Sequence, residues 1–337
     1  MGICIQNAGL LTSVQDRGRF GHQKDGLSPA GAMDLHSMRL ANLLVDNELD
    51  EAVLETTFIG PELLFTQANY FAVTGAPMEL HLNGSPVPMG AALYAEAGSV
   101  LTCGMVKAGC RSYIAFAGGL DVPVMGGSKS TLLRNAIGGW KGRKLKPGDE
   151  IGFVHPAAHL ENAAVRYLPQ SIKNEPISLR VIEGPQEERF TQEGLDTFYG
   201  TEYEVTQECD RMGSRLTGIK IEHRTDGNII SDGIALGAIQ VPSSGLPIIM
   251  LSERQSMGGY TKIANVISVD LPRIAQAVPG TKVRFQKVRV EEAEQLWENE
   301  LKQYEQIRKH FHKEHQKSFY FQEKEHLLPF GHRGMAV

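Results

Sequence analysis

Sliding the sequence against itself by 132 residues brings three segments into coincidence. Phe71-Ala72-Val73-Thr74 falls on Tyr203-Glu204-Val205-Thr206, and Met125-Gly126-Gly127-Ser128-Lys129 falls on Met257-Gly258-Gly259-Tyr260-Thr261. Pro147-Gly148-Asp149-Glu150-Ile151-Gly152-Phe153 falls on Pro279-Gly280-Thr281-Lys282-Val283-Arg284-Phe285. Each anchor is a strand or turn pattern, and a constant offset is hard to obtain by chance, so the chain reads as two related units in tandem. A unit of roughly 110 to 130 residues cut into short strands implies a small barrel or sandwich. Composition points the same way. The 337 residues include 36 Gly and 16 Pro, more turn-formers than a helical bundle accommodates.

The texture along the chain divides it further. Asp34 is placed to cap a helix in which Leu35, Met38, Ala41 and Leu44 recur at helical spacing. Short runs such as Tyr70–Thr74 and Ser112–Ala117, bounded by Gly, Pro and Asn, carry a strand signature that returns from Leu179 to Val288. The weakly periodic stretch from Pro156 to Pro176 reads as a connection. Trp297, Leu301, Tyr304, Ile307 and Phe311 then form an apolar stripe on a charged segment, an amphipathic helix packed on the body or on a partner. The expected division is 1–165, 177–290, and a helix and tail over 291–337.

Several classes are disfavoured. With 34 Lys and Arg against 39 Asp and Glu, the net charge of −5 lacks the basic excess of a nucleic-acid binder. No apolar run suits a membrane helix, and the first residues lack the pattern of a secretory leader. Cys4, Cys103, Cys110 and Cys209 are too sparse for a disulfide framework or a zinc site, so reduced thiols and a cytoplasmic location are expected. There is no G-x-S-x-G, no H-E-x-x-H, and no G-x-G-x-x-G opening a helix after a strand. His312 and His315 share a helix face, but a solvated charged helix is the simpler reading, and no metal is expected.

Polar residues concentrate in a few loops. Thr12 to Gly21 holds Asp16, Arg17 and Arg19 among glycines, which suits either an anion-contacting loop or a tight turn with a local ion pair. Cys209 to Leu216 offers Asp210 with Arg211 and Arg215, four apart, the span of one helix face or of a tight loop. Gly237 to Gly245 carries Gln240 on a short strand, and Glu253 to Lys262 supplies Arg254, Gln255, Tyr260 and Lys262 around Gly258-Gly259. Gly126-Gly127-Ser128-Lys129 is not a phosphate loop of the G-x-x-x-x-G-K-[ST] kind, because Ser128 intervenes before the lysine. Its recurrence at the 132 offset marks a shared structural turn.

These motifs, with Gly31-Ala32-Met33-Asp34, Ala41-Asn42, Leu54-Glu55, Gly60-Pro61 and Gly138-Gly139, resemble in order the signature of the allophanate hydrolase subunit 2-like, or biotin-dependent carboxyltransferase-like, family. The resemblance runs over about residues 5 to 290 and leans to the branch of 5-oxoprolinase C subunits, also described as antagonists of a sporulation-kinase inhibitor. It implies a mainly β chain of two tandem cyclophilin-like β-barrels with a few short helices and a C-terminal helix. It implies work in a complex with two 5-oxoprolinase partners, a B subunit (a kinase-inhibitor-like protein) and an A subunit. The complex would open the lactam of 5-oxo-L-proline to L-glutamate at the expense of ATP. The chain alone would then have little or no activity.

An unactivated amide must be phosphorylated or strongly polarised before water attacks, which calls for cationic and amide groups aimed at developing negative charge. By that implication Arg211 and Arg215 would hold a carboxylate or phosphate, and Lys262 would stabilise transferred charge. Gln240 and Tyr260 would orient the amide, and Asp16 or Asp34 would act as base. Gly258, Gly259 and Arg254 would contact ATP or a phosphate. Ser214 stands where the family often has an aromatic, and Glu253 where Asp is common. Two other functions fit the same resemblance: a carboxyltransferase acting on urea-like substrates with biotin carried by another protein, and a regulatory protein that binds the kinase inhibitor. No Met-Lys dipeptide occurs, which disfavours a self-contained biotin carrier.

Overall fold

The computed structural model describes residues 1–313. The chain is mainly β. Its first half contains strands β1 (Gly2–Asn7) and β2 (Leu11–Gln15), helix α1 (Leu35–Leu44), then β3 (Val53–Thr57), β4 (Glu62–Phe65), β5 (Asn69–Gly75), β6 (Met78–Leu82), β7 (Ser85–Val87), β8 (Leu93–Ala95), β9 (Val100–Val106), β10 (Arg111–Phe116), β11 (Leu120–Asp121) and β12 (Glu150–Phe153). These form a seven-stranded sheet in the order β11-β12-β1-β4-β9-β6-β7 and a five-stranded sheet β2-β3-β10-β5-β8. One core lies between them. Ile5, Phe65, Leu101 and Phe153 come from the larger sheet, and Val14, Leu54, Phe71 and Phe116 from the smaller.

The second half contains β13 (Ile177–Glu183), α2 (Gln192–Gly200), β14 (Tyr203–Cys209), β15 (Gly213–Thr217), β16 (Asn228–Gly233), β17 (Ala238–Val241), β18 (Ile248–Met250), β19 (Met257–Val266), α3 (Leu271–Ala275) and β20 (Lys282–Lys287). Here the sheet closes. The order β13-β20-β14-β15-β18-β17-β19 returns on itself through β19 pairing with β13, and β16 is carried outside on β19. Alternate residues such as Ile239, Val241, Ile249 and Leu251 fill the barrel. Their neighbours Ala238, Ile248 and Met250 form a small cluster with Ile234 on the outside. The expected mainly β chain is therefore seen, with a closed circuit of strands in the second half and two facing sheets in the first.

The 132-residue offset is only partly structural. Gly148 and Gly280 make the same left-handed turn, at φ 85° and 91°, and β12 and β20 begin two residues later. The strands matched further upstream have different neighbours: β5 pairs with β8 and β10, whereas β14 pairs with β15 and β20. The shared Met-Gly-Gly turn is not found. Gly126 and Gly127 form a hairpin turn at φ 59° and 73°, but Gly258 and Gly259 lie inside β19 in extended backbone. Glycine serves the second copy by being small: a Cβ on Gly258 would lie 2.6 Å from Ile234 Cδ1 and 2.9 Å from Gln240 Nε2.

Ahead of β12, Asp149 accepts hydrogen bonds from both terminal nitrogens of Arg143 at 2.7 Å and from the Lys146 amide at 2.8 Å. The Arg143 guanidinium is the main cause that holds this carboxyl well below the usual carboxylate range, against the opposing effect of burial. A depressed folded-state value contributes stability above about pH 4 that is lost as pH falls further. Asp149→Asn should therefore lower the unfolding temperature at pH 7 and narrow the gap to the parent chain below pH 4. An unchanged gap across that range would overturn the assignment.

The halves are knit together. Met33 packs in the core of the second half. Ser28 Oγ donates to the Arg254 carbonyl at 2.7 Å, and Ser252 Oγ donates to the Ala32 carbonyl at 3.2 Å. The expected C-terminal helix is α4 (Val290–Phe311), and it returns to the first half. Tyr304 and Glu300 meet His36 on α1 at 2.8 and 2.9 Å, Arg39 lies over Trp297, and Phe311 is buried with Met38, Ala41 and Leu168. Among the described residues no helix is long and apolar enough to cross a membrane.

Candidate functional site

Two of the motif loops are structural. Asp16 accepts from the amides of Gly18 and Lys129 and from the hydroxyls of Ser128 and Ser130, at 2.5–2.7 Å. This fixes the Ser128–Ser130 segment against the first strands. Gly18 and Gly31 are needed where segments 16–19 and 29–32 pass: a Cβ on Gly18 would sit 2.8 Å from the Ala30 carbonyl, and one on Gly31 2.7 Å from that of Arg17. Arg19 is turned inward onto the Ser130 carbonyl at 2.5 Å, while exposed Arg17 lies over Phe20. Asp34, the other candidate base, caps α1 through the Ser37 amide at 2.8 Å and also accepts from the Gln276 side chain at 2.8 Å. The cap expected from sequence is present.

Arg211 and Arg215 do not act together. Arg211 is buried at the joint, where its Nε donates to Glu253 at 2.6 Å, Nη2 to the Gly31 carbonyl at 2.6 Å, and Nη1 to Glu55. Glu55 also accepts from the Tyr113 hydroxyl and the Met33 amide. Burial works against the charge of Arg211, but Glu55 and Glu253 outweigh it and raise its pKa. This arginine joins the halves, with Nε, Nη1 and Nη2 each donating to an acceptor of the protein. The cleft it borders, about 420 Å³ and lined also by Cys110, Arg134, Asp210 and Met212, runs along that joint.

Arg215 points elsewhere, to a cleft of about 450 Å³ on the outer face of the barrel. The cleft gathers Arg215 from β15, Gln240 from β17, Ile248 and Met250 from β18, Gln255, and Tyr260 from β19. Three of the residues expected from sequence thus meet in one place. Arg215 is largely exposed and 3.1 Å from Glu208. Tyr260 is 40 % exposed at the rim. Gln240 is 1 % exposed, and its Nε2 has no hydrogen-bond partner. Lys262 stands opposite Gln240 in the β17–β19 ladder, so it shares that face, and its buried ammonium lies 3.3 Å from Asp232 on β16.

Gln255 has no role assigned from sequence, yet it lines this cleft with its Oε1 buried and unpartnered. In the sequence it is one of the polar residues grouped around Gly258-Gly259, with nothing local to give it a role. Gln276, which ties the halves, escapes sequence reasoning for the same reason.

The residues assigned to a nucleotide do not fit one. Gly258 and Gly259 are extended and offer no amide cradle. Arg254 is buried and donates to the carbonyls of Ile234 at 3.0 Å and Leu251 at 3.3 Å, and burial brings its pKa down to about 10. Among the described residues no cluster of three or more His, Cys, Asp or Glu is arranged for a metal. His312 meets Asp46 at 2.8 Å, and His315 lies outside the described residues.

The carboxyltransferase domain, subdomain A and B, family model matches residues 25–287. The chain is 35 % identical over 311 residues to the 5-oxoprolinase C subunit of Escherichia coli strain K12, covering 92 % of this chain and 99 % of that protein. It is 32 % identical over 313 residues to urea amidolyase of Saccharomyces cerevisiae, covering 87 % of this chain but 17 % of that protein. Among solved structures, the urea carboxylase of Kluyveromyces lactis superposes with a TM-score of 0.83 at 30 % identity, over 91 % of this chain and 29 % of that one.

Proposed function

The chain belongs to the carboxyltransferase domain, subdomain A and B, family, and from that premise we propose that it is the C subunit of a 5-oxoprolinase, opening 5-oxo-L-proline to L-glutamate with ATP in a complex with an A and a B subunit. The observation that carries this reading is the outer-face cleft, where an unpartnered amide (Gln240), a phenol (Tyr260) and an arginine (Arg215) meet beside a buried lysine. The match to the Escherichia coli 5-oxoprolinase C subunit over nearly its whole length supports it. In this reading Gln240 and Tyr260 orient the amide, Arg215 pairs with the substrate carboxylate at the mouth, and Lys262 places positive charge near the oxygen on which negative charge develops. ATP supplies the driving force in the complex, and no contact to it is assigned to Gly258, Gly259 or Arg254.

The test is reconstitution of the purified chain with A and B subunits, ATP and 5-oxo-L-proline, measuring glutamate. No glutamate from the full set sinks the reading. Lys262→Met should lower turnover by about 100-fold or more, the scale for losing one preorganised electrostatic donor. It should leave the fold intact, because its partner Asp232 is about half exposed and returns to solvent. Undiminished turnover would remove Lys262 from the mechanism. A second reading, carboxyl transfer to a urea-like amide from biotin on another protein, is favoured by the superposition on urea carboxylase. It requires that carboxylated biotin, rather than ATP and the other subunits, supports the reaction.

A further inference from the structure

Where α4 crosses the joint between the halves, it lines a third cavity, of about 360 Å³. The wall is mainly apolar: Met33, Leu35, Leu236, Leu251 and Leu271, with Trp297 from α4. Two arginines stand on one side. Arg39 on α1 is 5 % exposed, and its guanidinium lies over the rings of Trp297 and Tyr304. Only its Nε is hydrogen-bonded, to Asp50 at 3.0 Å. Nη1 and Nη2 make no hydrogen bond to the described residues and are not sealed from solvent. A fork of two N–H donors is thus open on a side chain that is otherwise buried. Arg17 also lines the cavity, and its carboxylate partner is the same Asp50, at 3.6 Å. Two guanidinium groups therefore share one carboxylate. Glu300, the acidic residue of the lining, is already met by His36 at 2.9 Å and by the Tyr304 hydroxyl at 2.8 Å.

We propose that this cavity binds a small monocarboxylic acid with a ring-sized apolar body, its carboxylate on the Arg39 fork and its body against Leu236, Leu251 and Trp297. The planar fork of a guanidinium matches a carboxylate with two parallel hydrogen bonds, and such a charge-assisted pair is strong where water is scarce. An apolar wall with a few convergent polar groups is the usual build of a small-molecule site. Glutamate and other acids with a second charged group are a poor match, because that group would enter the apolar wall unpaired. The proposal goes beyond the lactam reaction and does not depend on it. Trp297 and Glu300 come from α4, which follows the residues 25–287 matched by the family model. A bound acid touches Arg39 of the first half, Leu236 and Leu251 of the second, and Trp297 of α4, so it fastens the helix to the body.

The experiment is calorimetric titration of the full chain with phenylacetate, its neutral counterpart phenylacetamide, and acetate. Phenylacetate should bind roughly tenfold or more tightly than either, since only it offers both the charge and the apolar body. In a Trp140→Phe chain, where Trp297 is the remaining tryptophan, the same titration should change the fluorescence with the same midpoint. Arg39→Lys keeps the charge and loses the fork, and should weaken phenylacetate by roughly tenfold or more. Leu236→Trp fills the cavity while leaving both arginines in place, and should abolish binding. Saturating phenylacetate should raise the unfolding temperature of the parent chain and leave that of Leu236→Trp unchanged. Equal binding of phenylacetamide would make this a general apolar pocket, and equal binding of acetate a site for an adventitious ion only. Binding that survives Leu236→Trp would lie elsewhere on the chain. Each of these results overturns the proposal, as does no binding of phenylacetate.

Discussion

Arg211→Met is expected to destabilise the protein by about 3–5 kcal/mol, the cost of removing one partner from a buried ion network. Two carboxylates, Glu55 and Glu253, are then left buried with their main counter-charge gone, and the Gly31 carbonyl loses its donor. Glu55 keeps the Tyr113 hydroxyl and the Met33 amide, which cannot neutralise it. The added substitutions Glu55→Gln and Glu253→Gln should restore part of the loss, since the penalty lies mainly in uncompensated charge. Urea unfolding of the single and triple variants measures both. A loss under about 1 kcal/mol for the single change would mean that solvent reaches the network and that Arg211 does not hold the joint.

Gln276→Leu should cost about 3 kcal/mol or more, given 1–3 kcal/mol for each buried group left without its bond. The side chain uses its full capacity. Oε1 accepts from the amides of Cys110 and Arg111 at 2.9 Å, and Nε2 donates to Asp34 and to the Arg111 carbonyl at 2.8 Å. A leucine of similar size leaves the Cys110 and Arg111 amides without this acceptor between the halves, while the Arg111 carbonyl keeps the Ala76 amide and Asp34 Oδ2 keeps the Ser37 hydroxyl. Gln276→Glu is the sharper variant, because it sets a second carboxylate against Asp34. Mutual repulsion raises the carboxyl pKa in the folded state, so this variant should recover stability as pH falls from 7 towards 5, the direction opposite to that expected of Asp149. Chemical unfolding at the two pH values decides it, and a pH-independent deficit would place the loss in packing rather than charge.

Local patterns are legible in the sequence. Asp34 as a cap, α1, the strand texture, the Pro-Gly turns and the apolar stripe of α4 depend on residues a few positions apart, and all are found. Long-range pairing is not. The 132-residue offset matches strands whose neighbours differ, since which strand lies beside which is decided by contacts far away in sequence. The same limit governs the candidate site. Arg215, Gln240 and Tyr260 stand out in the sequence and do meet, but Arg211, four residues from Arg215, faces the joint because the chain turns at Asp210–Met212 before β15. Asp16 and Asp34 have the chemistry of a base, and only the fold reveals that they also fix a turn and cap a helix. Gln255 and Gln276 are the converse: inconspicuous in the sequence, each is defined by hydrogen bonds made or missing across the fold.

The return of α4 to the first half has a bearing on how the protein is made. Chains emerge from the ribosome at roughly 5–20 residues per second, and N-terminal parts usually fold first. Here the cluster around α1 is completed only when Phe311 arrives, roughly 7–29 s after Leu168 has been synthesised at that rate. During that interval α1 is already packed on β5 and β10, and only the edge of its cluster that Phe311 covers is open to solvent.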